Sequence, residues 1–211
     1  MTRGLPTVRW REPRDVPVLL EVPPAGVFLG MDAESAPVLL PAIGPHLTRV
    51  GVVGDWRIAA LLAYRLLGVG CLLTTLTDDP GRWRHLLEAA GTRGTVGRSG
   101  GVWPASRADG SRHLLVSDLP ASPDPPGTGV PGTVVHVTET VPAAGPFWSA
   151  VDAVLVAGRG HGLALARLLG RDDARTLDGI GPAQLGLLDR QRAVAVTAVL
   201  ADAERALLIS R

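Results

Sequence analysis

The stretch Arg49–Asp55 (RVGVVGD), followed by an alanine- and leucine-rich run to Leu67, decides the predicted fold. A short apolar run that ends in glycine, here Gly54, is typical of a strand buried on both faces of a parallel sheet. Asp55 can then cap a helix whose apolar residues recur at helical spacing, and Gly68 can end it. The sequence therefore predicts a strand that leads through a tight turn into a buried helix.

The same alternation of strand and helix continues on both sides of this unit. Residues 71–77 (CLLTTLT) predict a second strand and residues 78–90 a second helix, which together form a right-handed βαβ unit. Short apolar runs around the acids of residues 31–35 predict a hairpin. Further strands are predicted at 17–22, 27–30, 37–40, 112–117, 133–138, 151–157 and 193–199, and further helices at 163–169, 182–188 and 202–208. The pattern predicts an α/β fold, a three-layer sandwich with a mostly parallel sheet, Rossmann-like or resembling a degenerate P-loop fold.

The chain of 211 residues has the length of one large domain or two small ones. We expect a polar N-terminal arm over residues 1–15 and a single α/β domain over residues 16–211, with irregular loops near 92–111 and 119–132. Hydrophobic residues make up 46% of the chain and aromatic residues only 4%, so the predicted core is aliphatic.

Composition excludes several classes of protein. All 21 basic residues are arginine, and without lysine there is neither a phosphate-loop ammonium nor a Schiff base. The arginines are dispersed rather than clustered on one face, which argues against nucleic acid as a partner. No apolar stretch is long enough to predict a transmembrane segment, and one cysteine, Cys71, forms no intrachain disulfide. We therefore expect a soluble, cytoplasmic protein in which Cys71 is buried as a small hydrophobic residue.

The first candidate site is the turn Gly54, Asp55, Trp56 and Arg57, at the position of a phosphate-binding loop. A nucleotide loop needs several glycines so that the backbone can approach phosphates at a helix N-terminus. This turn offers one glycine, and a carboxylate would compete with phosphate for the same amides. The two alternatives are a degenerate phosphate loop that keeps its backbone cradle and an ordinary N-capped turn.

The second candidate site is the turn Gly158, Arg159, Gly160, His161 and Gly162, which follows a strongly apolar strand. Three glycines before a helix can form an anion-binding nest, and an arginine can add charge to it. The alternative is a tight turn whose glycines adopt positive φ. This turn is the predicted ligand-binding site.

No metal, cofactor or catalytic group is predicted. The five histidines are far apart and do not pair with cysteine or acid at ligand spacing, and there is no G-x-S-x-G elbow. The acid pairs Asp78–Asp79 and Asp172–Asp173 could act as paired carboxylates, but each more simply begins a helix.

Two groups of segments resemble a known family. FLGMDAESAPVLL and PHLTRVGVVGD, within residues 28–62, resemble the start of the motor domain of FtsK/SpoIIIE-type ATPases, including those of type VII secretion. LTDDPGRWRHLLEAAG and GIGPAQLGLLDRQRAVAVTAVLADAERALL are similar to the cytosolic α/β region of the E-type core component of type VII secretion. The E-type components also carry transmembrane helices, which this sequence does not predict. The resemblance implies an ATPase-type fold that has lost ATP turnover.

The sequence thus predicts a non-catalytic interaction or scaffold domain with a nucleotide-binding-type fold, an accessory of a type VII-like secretion apparatus. A protein partner or a homo-oligomer is expected, and Trp56, Trp83, Trp103 and Trp148 are either partner contacts or core residues. The alternative is a small-molecule-binding enzyme or ligand sensor that uses residues 158–162.

Overall fold

The computed structural model describes residues 26–97, 111–124 and 131–209. The helices are α1 (Trp56–Gly68), α2 (Arg84–Ala90), α3 (Pro146–Ser149), α4 (Gly162–Leu169) and α5 (Asp202–Ile209), with 3-10 turns at Gly91–Arg93 and Asp172–Gly179. The strands are β1 (Val27–Met31), β2 (Pro37–Leu40), β3 (Leu47–Val53), β4 (Leu72–Leu76), β5 (Gly94–Gly97), β6 (His113–Ser117), β7 (Gly132–Thr138), β8 (Ala153–Ala157), β9 (Gln184–Asp189) and β10 (Ala193–Ala198). The strand predicted at residues 17–22 and the arm at 1–15 lie outside the described residues.

One ten-stranded sheet organises the chain, in the order β2-β1-β10-β9-β8-β3-β7-β6-β4-β5. The strands from β8 to β5 in this order are parallel, whereas β9, β10, β1 and β2 extend the sheet in antiparallel pairs. The predicted α/β fold with a mostly parallel sheet is confirmed. The order also fixes a switch point: the chain leaves β3 towards β4 on one side and leaves β7 towards β8 on the other.

Each face of the sheet carries its own apolar core. One core packs α1 and α2 against the sheet, with Leu62, Leu66 and Leu86 fully buried. The other packs α3 and α4 against the opposite face around Phe147 and Trp148. These two cores with the sheet between them form the predicted three layers.

Glycine at position 51 lets the second core approach the sheet closely. A Cβ at Gly51 would lie 2.4 Å from a ring carbon of Trp148, so a side chain there would overlap the indole. Trp148 is 1% exposed and donates its indole N–H to His136 Nδ1 at 3.0 Å. The absence of a side chain in β3 therefore positions the largest residue of this core.

A buried ion pair attaches α5 to α1, on the face of the sheet that carries α1 and α2. Arg65 of α1 makes two hydrogen bonds to Glu204, at 2.6 and 2.9 Å, and its side chain is 12% exposed against 10% for the glutamate. The same guanidinium donates to the carbonyl oxygens of Phe28 and Val199. Hydrogen bonding to Arg65 lowers the pKa of Glu204, so the pair is ionised at neutral pH.

Several sequence predictions need correction. The helix predicted at 182–188 is wrong: the strand Gln184–Asp189 lies there, paired with β8 and β10. Residues 92–111, predicted to be irregular, contain the edge strand Gly94–Gly97. The helix predicted from residue 78 begins only at Arg84, after a turn in which Asp79 accepts a hydrogen bond from the amide of Arg82.

Two other predictions, the hairpin and the burial of Cys71, are confirmed. The hairpin of β1 and β2 has its acid turn, where Asp32 accepts hydrogen bonds from the amides of Glu34 and Ala36. Cys71 is buried, and burial raises the pKa of its thiol. No helix within the described residues is long and apolar enough to cross a membrane.

Candidate site at the carboxyl edge of the sheet

The carboxyl ends of β3, β6 and β7 surround a cleft of about 590 Å³. In open α/β sheets, ligands bind outside the carboxyl ends of the strands where the strand order divides. Here that point lies between β3 and β7. The cleft, which we call the acidic cleft, is lined by Gly54, Asp55, Trp56, Arg82, Asp118, Leu119, Pro120, Val137, Thr138 and Glu139.

The turn that would hold phosphates contains only two residues. β3 ends at Val53 and α1 begins at Trp56, so only Gly54 and Asp55 connect the strand to the helix. In the Walker loop, by contrast, four residues separate the two glycines, and a lysine and a serine or threonine then follow. The turn is therefore shorter than a Walker loop, and the survival of a backbone cradle at Gly54–Arg57 stays a prediction.

Local contacts fix the two turn residues. Gly54 has a φ of +102°, and a Cβ there would lie 2.2 Å from the carbonyl oxygen of Ala157, so only glycine fits. Its amide donates to the carbonyl oxygen of Thr138 at 2.8 Å. The Asp55 carboxylate accepts from the amide of Arg57 at 2.9 Å, as an N-cap residue does. The Asp55 carboxylate thus occupies a backbone amide at the N-terminus of α1, where an anionic ligand would bind.

An aromatic and arginine cluster fills the space beside this turn. Trp56 packs edge-on against Trp83, with ring centroids 5.6 Å apart. The guanidinium groups of Arg57 and Arg82 lie 5.3 and 5.9 Å from the centroid of the Trp56 ring, within the range of cation–π contacts. The side chain of Arg57 also donates to the carbonyl oxygen of Leu208 at 3.0 Å. The predicted site residues Gly54, Asp55, Trp56 and Arg57 are therefore adjacent, and each is held by contacts within the protein.

Asp118 is a site residue that the sequence analysis missed. It directly follows β6, and its side chain is only 6% exposed. One carboxylate oxygen accepts from the indole N–H of Trp83 at 2.9 Å and from Arg82 at 3.2 Å. The signal in the sequence was an acid placed immediately after the apolar run of a buried strand. In this structure the acid organises the aromatic cluster.

The tryptophans divide between core and surface. Trp83 and Trp148 are each 1% exposed, so the suggestion that they contact a partner is wrong for both. Trp56 is half-buried, and Trp103 lies outside the described residues.

The second predicted site, residues 158–162, lies between β8 and α4. Gly158 and Gly160 both have a φ of +84°, as a tight turn requires. The amides of Gly162 and Leu163 donate to the two carboxylate oxygens of Asp178, at 2.6 and 3.1 Å. Arg159 donates to the carbonyl oxygen of Ile180 at 3.2 Å, and His161 is the residue before the first turn of α4. An external anion would have to displace Asp178 from these amides.

The described histidines do not form a metal site, and no group of three metal-binding side chains occurs among the described residues. His136 lies in the core, where Nε2 bonds to the carbonyl oxygen of Leu119 at 3.0 Å and Nδ1 accepts from Trp148. Because Trp148 can only donate, Nδ1 carries no proton and Nε2–H is the donor. Burial lowers the pKa of His136, which keeps the ring neutral.

The architecture is a nucleotide-binding-type fold similar to that of ATPases. The DNA-packaging ATPase B204 of Sulfolobus Turreted Icosahedral Virus aligns with a TM-score of 0.52 at 8% identity, over 72% of this chain and 98% of the viral one. The genome packaging NTPase B204 of Sulfolobus turreted icosahedral virus 2, in complex with AMP, aligns with a TM-score of 0.52 at 10% identity, over 75% and 100%. No protein-family model and no curated protein matches the sequence. The likeness is one of fold.

Proposed function

We propose that this chain is a non-catalytic interaction domain built on an ATPase-type fold, which works through protein contacts rather than nucleotide turnover. The observation that carries the proposal is the two-residue turn between β3 and α1, in which Asp55 occupies a helix amide that a phosphate would need. The chain also contains no lysine to neutralise a triphosphate. The proposal covers residues 16–211 as one domain.

Charge supports the same proposal. The acidic cleft is lined by three carboxylates (Asp55, Asp118 and Glu139) and one guanidinium (Arg82), a formal balance of −2. Its volume of about 590 Å³ lies within the range of small-molecule pockets, so size alone would not exclude a nucleotide. Like charges brought together in a cleft repel, and this balance disfavours a polyphosphate.

The finer proposal is an accessory role in a type VII-like secretion apparatus, on the cytoplasmic side. It rests on the resemblance of residues 28–62 to the motor domains of FtsK/SpoIIIE-type ATPases. The partner we propose is a secretion ATPase of that type from the same genome.

Phosphate release tests the catalytic half of this proposal. Purified chain is incubated with ATP or GTP and Mg²⁺ alongside the matched variants Asp55→Ala and Arg57→Ala. We expect no release above buffer in any of the three proteins. Hydrolysis by the native chain that either substitution abolishes would refute the proposal.

Capture of a partner tests the other half. The native chain, immobilised, is presented with the purified secretion ATPase from the same genome, with an unrelated ATPase as control. We expect selective retention. If the secretion ATPase is not retained, the proposed role in secretion is refuted. The proposed loss of nucleotide turnover is tested separately, by phosphate release.

The alternative function, a ligand-binding enzyme or sensor at residues 158–162, stays a prediction. It requires that a dinucleotide, a nucleotide or S-adenosylmethionine raise the melting temperature, since a ligand at about 100 times its Kd adds roughly 2.7 kcal/mol. Because Asp178 already binds the amides of Gly162 and Leu163, we expect a flat thermal-shift screen.

A further inference from the structure

Two neighbouring depressions at the carboxyl edge share Trp56 and Arg82. The first is the acidic cleft. The second, which we call the basic groove, has a volume of about 490 Å³ and runs between the start of α1 and the start of α2. It is lined by Trp56, Arg57, Asp79, Gly81, Arg82, Arg84 and His85.

The two depressions carry opposite charge. Three guanidinium groups and one carboxylate line the basic groove, a formal balance of +2 with His85 neutral. Three carboxylates and one guanidinium line the acidic cleft, a balance of −2. Arg82 lines both depressions; without it, three carboxylates line the acidic cleft, and two guanidinium groups and one carboxylate line the basic groove. The two halves of the surface therefore carry charge of opposite sign, and the half-buried ring of Trp56 lies at their boundary.

We infer that this surface binds a second copy of the same chain in a two-fold symmetric dimer. In such an interface one patch contacts itself, so residue i meets j and j meets i, and the patch must be self-complementary. A two-fold axis near Trp56 places the acidic cleft of each protomer against the basic groove of its partner. A purely acidic or purely basic partner would match only one half.

The residue type and the packing of Trp56 support this inference. Tryptophan and arginine are the residues that most often dominate binding energy at the centre of interfaces. Trp56 is backed by the fully buried Trp83 and flanked by Arg57 and Arg82, so its ring is held in place before a partner arrives. Preorganisation of this kind lowers the entropic cost of association.

Arg84 and Glu139 allow a direct test because both are exposed and lie on opposite halves of the surface. Neither makes an ion pair with a residue in the described ranges, so reversal of either charge should leave the fold intact. The variants are Arg84→Glu, Glu139→Arg and the double substitution, with Arg205→Glu, on the exposed face of α5, as the control. Sedimentation equilibrium over micromolar to submillimolar protein gives the dimer dissociation constant, and circular dichroism verifies folding.

We expect a dimer whose dissociation constant rises at least about tenfold in each single variant, since two symmetric contacts become repulsive at once. The double substitution should recover most of the loss, because the charges are exchanged rather than removed. The native dimer should weaken as salt increases, because screening shortens the reach of these charges.

A native chain that stays monomeric throughout would overturn the inference, and so would a dimer indifferent to both reversals or one that the double substitution does not restore. The inference rests on the proposed function, since a bound nucleotide would fill the acidic cleft. The two fail separately: phosphate release refutes the proposed function, whereas a monomer without phosphate release refutes only the dimer.

Discussion

Removing the guanidinium of Arg65 tests how α5 is attached to the rest of the fold. The substitution Arg65→Met keeps the aliphatic stem and removes every polar contact of the head group. Glu204 then keeps only its hydrogen bond from the amide of Ala201, at 2.8 Å, and the carbonyl oxygens of Phe28 and Val199 lose a donor. The change therefore leaves an uncompensated carboxylate in a site where the glutamate side chain is 10% exposed.

Breaking one side of a buried ion pair costs about 3–5 kcal/mol, because the remaining charge is desolvated without a partner. Native domains are stable by only about 5–15 kcal/mol, so this loss is a large fraction of the total. For a chain of this size each kcal/mol lowers the melting temperature by about 2–4 °C, which predicts a drop of roughly 6–20 °C.

Urea unfolding followed by far-ultraviolet circular dichroism measures the effect on the free energy of unfolding. Arg205→Met is the matched control, since Arg205 pairs with Asp202 on the exposed face of α5 and should change the midpoint little. The double variant Arg65→Met/Glu204→Leu should be more stable than Arg65→Met alone, because it leaves no buried charge unpaired. An Arg65→Met midpoint equal to that of the control would refute the reasoning.

Three further predictions concern the core around Phe147 and Trp148 and the acidic cleft. Gly51→Ala should cost about 1–3 kcal/mol in urea unfolding, because the new methyl overlaps the ring of Trp148. Trp83→Phe should cost a similar amount, about 1–3 kcal/mol, because it removes the N–H that the buried carboxylate of Asp118 accepts. The third concerns pH: burial lowers the pKa of His136, so the unfolded chain binds the proton more readily than the folded one. The free energy of unfolding should therefore fall as pH drops below about 6.5, by up to about 1.4 kcal/mol per unit, until the folded pKa is reached.

Each of these predictions has a matched control. Gly68→Ala adds the same methyl where no atom lies within 4 Å, so it should not destabilise the chain. Trp56→Phe removes the N–H of a tryptophan for which the structure gives no hydrogen bond to that group in the described parts of the chain. His46→Gln replaces an exposed histidine and should keep the pH slope, whereas His136→Gln should lose it. Equal effects of variant and control would contradict the corresponding prediction.

The parallel half of the fold could be predicted because its signals are local. Strand β3 ends in the apolar run Val50–Val53, β4 consists of leucine and β-branched threonine, and Asp55 stands where an N-cap is needed. The strand Gln184–Asp189 could not be predicted in the same way, because Leu185, Leu187 and Leu188 suit either a helix or a strand. Its antiparallel pairing with β8 and β10 decides the outcome, and that pairing depends on residues distant in sequence.

The candidate site could likewise be predicted from the sequence only in part. The absence of lysine and the acid at position 55 indicated from the sequence that a phosphate loop is missing. The roles of Asp118 and Asp178 could not be seen there, since Asp118 contacts Trp83 across 35 residues and Asp178 reaches Gly162 across 16. The edge strand Gly94–Gly97 was also missed, because two glycines and two exposed side chains give little hydrophobic signal.

Equilibrium dialysis of the purified chain against labelled ATP with Mg²⁺ tests the central claim most directly. Because an acid caps the helix amides and the acidic cleft carries a balance of −2, the account predicts no saturable binding up to millimolar ATP. Saturable binding of ATP within this range would contradict the prediction.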